Sequence, residues 1–312
     1  MISMRYHIVS LAAIFLALAL GIVLGATKIN SPLLAGLQGD NTQLSSERSD
    51  LAKKNTELSD RVASDAKFAG AIGALAVRGT LPDTNVVLVT TDSADPADRD
   101  AVLSLLSHAG ATVTAQIQVT ADFSDPVRAE QLRQLAVQNL PTGSTLPESS
   151  QAGTIAGGLL ADVLLTDDKG KALVSADQAT AALSALSAAG FISASGPVAP
   201  GRSVIVLTGA ARTGDSATSR AQTIVDMASA LRQTAQGVVL TGRTGSEGTT
   251  GAVGLVRSDT AASAIVSTVD DVNTDAGRIA TVLALVEQNG GGVGRYGVGA
   301  NAQAPVPTLA AG

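Results

Sequence analysis

The chain contains no cysteine in its 312 residues. Disulfides, thiol catalysis, iron–sulfur clusters and Cys-based zinc sites are therefore excluded. It has two histidines, His7 and His108, which is too few for a multi-histidine metal centre within one chain. Tryptophan is absent and aromatics make up 2% of the residues. That rules against the aromatic girdles of a transmembrane β-barrel and the stacking platforms of a single-strand nucleic-acid binder. Charged residues are also scarce, at 15%, and the formal net charge is −6. A large phosphate-binding surface, and with it a nucleic-acid partner, is excluded.

Apolar residues are plentiful, at 45%. They are enough for a sizeable core, and the length suits about two domains by the prior of ~100–200 residues each. Ile8–Ala26 is a run of 19 residues without a charge. At 1.5 Å per residue it reaches roughly 28 Å, close to the ~30 Å hydrocarbon core of a bilayer. A cleavable signal peptide has a shorter apolar region and small residues at −3 and −1. Here the best site would put Leu24 at −3. The reading is an uncleaved anchor. Arg5 and the free amino terminus precede the run and Lys28 follows it. The positive-inside rule then places the amino terminus in the cytoplasm and the C-terminal body outside it.

Leucines recur every seven residues beyond Pro32, at Leu37, Leu44, Leu51 and Leu58. Taken as d positions, they set Leu34, Asn41, Arg48, Asn55 and Val62 at a. Asn at a favours a two-stranded register at a cost in stability, so the expectation is a parallel homodimer through Leu34, Leu37, Asn41, Leu44, Leu51, Asn55, Leu58 and Val62. Val62, Ala69, Ile72 and Ala76 extend the seam to a junction at Arg78–Gly79.

From Leu81 the apolar period changes. Val86–Thr90, Thr112–Val119, Arg202–Leu207, Gly237–Leu240 and Ala264–Val269 read as strands. Helical spacing lies at Ala97–His108, Val127–Asn139, Ile155–Leu165, Ala176–Ala189, Ser216–Gln233 and Thr274–Glu287. Asp95-Pro96 is a helix start and Gly110 a stop. Alternation of strand and helix implies an α/β, Rossmann-like domain with a mainly parallel sheet covered on both faces. The expected divisions are a cytoplasmic tip and transmembrane anchor at 1–30, a coiled-coil stalk at 31–80 and an α/β domain at 81–312. Asn289–Gly299 and the tail beyond it look loose.

Four motifs bear on chemistry. Gly209–Ser216 has P-loop spacing, but Asp215 stands where the phosphate-binding lysine belongs and is read as a helix cap. The loop Gly242–Gly251 follows a predicted strand, at the edge where open α/β sheets bind ligands, against a plainer and favoured reading as a flexible loop. Asp271–Asp275 begins like an EF-hand loop, then fails with Ala276 at its sixth position and Val282 at its twelfth. Asp270, Asp271 and Asp275 are read instead as acids at a helix amino terminus. Met1, Met4 and His7 share a helix face and have the donor softness of a Cu(I) site, against a plainer reading as start, core and interfacial residues. No nucleophile–base pair is discernible, so no enzyme is expected.

The opening MISMRYHIVSLAAIFLALALGIVLG, the leucine heptads and the block ASAIVSTVDDVNTDAGRIATVLAL resemble the actinobacterial copper-transport protein family typified by the mycobacterial MctB. The order of elements fits along nearly the whole chain, including the late Arg295-Tyr296-Gly297. The resemblance implies copper transport and copper resistance at the cell envelope, and an outer-membrane channel. It supplies no motif of copper ligands, so copper is expected as cargo, with no cofactor and no assigned metal residues. A single apolar helix carrying a water-soluble body does not by itself form a pore. The physical reading adds an alternative: a membrane-anchored coiled-coil scaffold that positions or activates envelope partners, such as a cell-wall hydrolase in cell separation.

Overall fold

The computed structural model describes residues 4–308, and for residues 27–38 only that they continue a helix. Helix α1 runs from Met4 to Ala76. Its first 23 residues, Met4–Ala26, have a mean hydropathy of 2.7, and none of that span is buried. By length and composition it is the one described helix able to cross a membrane. The chain divides into two compact units, residues 1–65 and 66–312.

The second unit is a mixed α/β body. In chain order it holds β1 (Asn85–Thr91), α2 (Pro96–Ala109), β2 (Thr112–Val119), α3 (Ala129–Gln138), α4 (Ala152–Leu164), α5 (Ala176–Ala188), β3 (Ile192–Ala194) and β4 (Ser203–Leu207). Then come α6 (Ala217–Arg232), β5 (Gly237–Thr241), α7 (Ala252–Ser258), α8 (Thr260–Ser263), β6 (Ser267–Val269), α9 (Asp275–Asn289) and β7 (Arg295–Tyr296). The strands form one sheet in the order β3-β2-β1-β4-β5-β6-β7. All neighbours are parallel except β2 and β3.

The period-2 geometry of strands divides the β-branched runs between two cores. Val87, Val89, Val204, Val206, Val238 and Leu240 meet α3–α8 on one face. Val86, Leu88, Ile205, Leu207 and Val239 meet α2, α9 and Val77 on the other. That double cover is why these strands read as unbroken apolar runs. The packing of α4 on α6 rests on two glycines. A Cβ on Gly157 would lie 2.9 Å from the Met227 backbone, and one on Gly153 would lie 2.4 Å from the Thr223 carbonyl. The last turns of α1 belong to the body. Ala69 packs on the second core, and a Cβ on Gly73 would already touch Ile279 of α9 at 3.3 Å.

The start of α2 follows the sequence reading. Asp95 accepts from the Ala97 amide, Pro96 is the first helical residue, and Gly110 ends the helix at φ +85°. Three expectations change. The stretch expected to be loose carries β7, with Tyr296 2% exposed and its hydroxyl donating to Glu287 at 2.5 Å. The expected strand Ala264–Val269 is shorter, because the Ile265 and Val266 amides turn back to the Ala262 carbonyl at the end of α8 and only Ser267–Val269 pairs with β5. Asp215 does not cap α6. The chain turns at Gly214 (φ +99°) and reaches Ser216 at φ −91°, ψ 0°, outside the extended conformation from which a side chain can cap.

Candidate functional site

The sheet order reverses around β1, which has β2 on one side and β4 on the other. At such a switch point the loops leaving the carboxyl ends of the strands diverge and open a crevice. Here those loops follow β1, β4 and β5, and they include Gly209–Ser216 and Gly242–Gly251, both singled out from sequence.

Three hydroxyls line the crevice floor. Thr91 Oγ1 is 3.0 Å from Ser93 Oγ and donates to Thr208 Oγ1 at 3.3 Å. Ser93 Oγ also accepts from the Gly209 amide at 3.2 Å. Gly209 is required there, since its Cβ would lie 2.4 Å from the Ser93 carbonyl oxygen. Arginine–aspartate pairs close the rim: Arg212 to Asp92 at 2.6 Å and Arg220 to Asp125 at 2.8 Å. Along the same edge Arg243 bridges Asp95 at 2.6 Å and Asp98 at 3.3 Å, and Arg278 joins Asp98 to Asp275. Asp125 is held below the usual carboxylate range, chiefly by the Val127 amide and then by Arg220, against the opposing effect of burial. The crevice is thus polar, with each named arginine paired to aspartate. Its hydroxyls are engaged with one another and with backbone, and no basic side chain among the described residues hydrogen-bonds to Ser93 to activate it.

The acids Asp270, Asp271 and Asp275 do not converge. Asp270 is fully buried against Arg257 and accepts the Val298 and Gly299 amides at 2.8 and 3.1 Å. This corrects its placement at a helix amino terminus. It directly follows β6, and the α9 cap is Thr274, which accepts from the Gly277 amide at 2.9 Å. Asp271 accepts from Thr274 Oγ1 at 3.0 Å, and burial raises its pKa. Asp275 alone lies in the first turn of α9 as expected, paired with Arg278 at 2.9 Å. Among the described residues no group of three or more His, Asp or Glu side chains is placed to hold a metal ion.

The softer copper donors are also apart. Met227 is fully buried in the first core. His108 ends α2, with Nδ1 donating to the Ser104 carbonyl at 2.7 Å. Met4 is 81% exposed on α1 and His7 is exposed three residues on. Met1, the third member of that group, lies outside the described residues. Of the heptad positions, Leu44, Leu51, Leu58 and Val62 are 57–67% exposed, and Asn41, Arg48 and Asn55 are also exposed. The side chains of Leu34 and Leu37 lie outside the described residues.

Two features escaped sequence reasoning. Thr91 and Thr208 are 117 positions apart and share only a place at the end of a strand. The buried Arg257–Asp270 pair had no local signal, because the two residues lie 13 positions apart, on α7 and just after β6, and meet only in the folded chain.

A family model described as "Copper transport outer membrane protein, MctB" matches residues 1–307. The protein called Copper transporter MctB in Mycobacterium tuberculosis is 35% identical over 305 residues, covering 96% of this chain and 97% of that one. Its counterpart in Mycobacterium bovis gives the same figures. That of Mycobacterium leprae is 33% identical over 311 residues, with the same coverage. The match therefore runs from the apolar helix through the whole sheet, and the chain belongs to the MctB family of copper transport proteins.

Proposed function

We propose that this protein serves copper transport and copper resistance at the cell envelope, as a single-pass membrane protein with its body outside the cytoplasm. Membership of the family over residues 1–307 carries the copper assignment. The apolar span Met4–Ala26 supports the anchor. Copper is the cargo in this reading. The body offers one histidine and one core methionine as soft donors, so copper is moved by an assembly in which this chain takes part. The protein acts by positioning partners, without an enzymatic step of its own.

A scaffold role is favoured by a separate observation. Leu44, Leu51, Leu58 and Val62 stand more than half exposed on one helix, an arrangement that a second copy would cover as a parallel coiled coil. Anchoring both helices in one membrane raises their effective concentration. Such a rod can present the body to envelope proteins, including a cell-wall hydrolase active in cell separation.

A deletion strain complemented with the full chain tests both readings. Copper sensitivity restored to normal by the chain supports copper transport. Normal copper tolerance together with a cell-separation defect contradicts it and leaves the scaffold.

A further inference from the structure

Among the cavities away from the switch crevice, one lies between α4 and α5. Val163, Leu165 and Leu183 form its apolar floor and are 3%, 0% and 8% exposed. Thr180 and Val198 also line it. The space is about 500 Å³ with its open mouth included, within the usual range for small-molecule sites. Asp162 lines the wall. Its Oδ2 is buried and has no hydrogen-bond partner among the described residues. Burial raises its pKa, opposed by the Ser144 side chain. A buried carboxylate oxygen without a donor, in the wall of an apolar cavity, calls for a physical explanation.

We propose that this cavity binds a small aliphatic amine, with the alkyl chain on Val163, Leu165 and Leu183 and the ammonium donating to Asp162. The ligand class follows from the lining. An apolar floor selects a hydrocarbon body. A buried carboxylate oxygen without a donor is best satisfied by a charged one, since a charge-assisted hydrogen bond is about twice as strong as a neutral one. An alcohol would make the weaker neutral bond, and a carboxylic acid anion would be repelled. The site is independent of the copper reading and shares no residue with the switch crevice.

Saturation-transfer NMR on the full chain in lipid nanodiscs tests this with three probes of one length: butylamine, butanol and butyrate. Butylamine is expected to bind and butyrate to give no signal. Asp162→Asn keeps the shape and removes the charge, and should weaken butylamine about tenfold or more. Ala179→Phe fills the cavity from its wall and should abolish the signal. Absence of butylamine binding, equal binding of butyrate, or binding undiminished in Ala179→Phe would each overturn the proposal. Should Asp162→Asn fail to fold, the probe comparison on the parent and the filled variant still decides.

Discussion

Arg257 Nη1 lies 2.5 Å from Asp270 Oδ2, with the two side chains 2% and 0% exposed. The pair ties α7 to the end of β6, where Arg257 Nε also donates to Thr268 Oγ1 at 3.0 Å, and its other hydrogen bonds reach the C-terminal segment. Arg257 donates to the Tyr296 carbonyl and to Asn301 Oδ1, each at 2.6 Å, while Asp270 accepts the Val298 and Gly299 amides. A glycine-rich stretch that looks loose in the sequence is thereby fixed to the sheet.

Removing one member of this pair leaves the other buried and uncompensated, which costs about 3–5 kcal/mol. Arg257→Ala is expected to lower unfolding free energy by that order, read from denaturant midpoints of the part starting at Thr27. Arg257→Met combined with Asp270→Leu should lose less than Arg257→Ala alone. A single variant as stable as the parent would show that the pair does not hold the segment.

How far the fold can be read from sequence depends on where each element finds its partners. Val86–Val89 and Val204–Leu207 are buried on both faces, so composition alone marks them as strands. Asp95, Pro96 and Gly110 act within their own helix, and their roles are legible one residue at a time. β3 is different. Only Ile192 of its three residues is buried, and it exists because it pairs antiparallel with Ile117–Val119 of β2. β7 is two residues held by pairing to β6 and by Arg257. In the candidate crevice, the loop positions were legible from strand ends. The Thr91–Ser93–Thr208 cluster was not, because it is made by tertiary approach.

Asp271 gives the protein a pH-dependent element of opposite sign to an ordinary salt bridge. Burial raises its folded pKa above the ordinary 3.8. The folded state therefore favours the protonated form. This contribution to stability is fully present below the unfolded value and is lost as pH rises through the folded one. Asp271→Asn removes that dependence and retains an acceptor for Thr274 Oγ1. The variant's stability relative to the parent is expected to increase from pH 3.8 up to neutrality. Denaturant midpoints at both ends of that window check it, and a constant difference contradicts the assignment.

The exposed leucines of α1 lead to a prediction about assembly. Leu44→Ala combined with Leu51→Ala should remove two buried layers of the proposed coil, at about 2–5 kcal/mol each, toward the lower end beside polar a positions. Sedimentation of a chain starting at Thr27 should give dimers for the parent and monomers for the double variant. A parent that stays monomeric well above micromolar concentration contradicts a coil that forms without the membrane.

The absence of cysteine makes topology directly measurable. Ser49→Cys and Thr249→Cys each introduce a thiol at an exposed position. Both are expected to react with a membrane-impermeant reagent on intact cells. Labelling of neither before lysis, with labelling of both after it, would place the body in the cytoplasm.

In the proposed function, copper is moved by an assembly and is not stored on this body. Calorimetric titration of the part from Thr27 onward with copper, and with zinc and magnesium as controls, addresses it most directly. Its soft donors are Met227, buried in the core, and His108, alone at the end of α2. Carboxylates are hard ligands that do not select copper over commoner cations. The account predicts no stoichiometric, copper-selective binding at submicromolar affinity, and one such site on this fragment would contradict it.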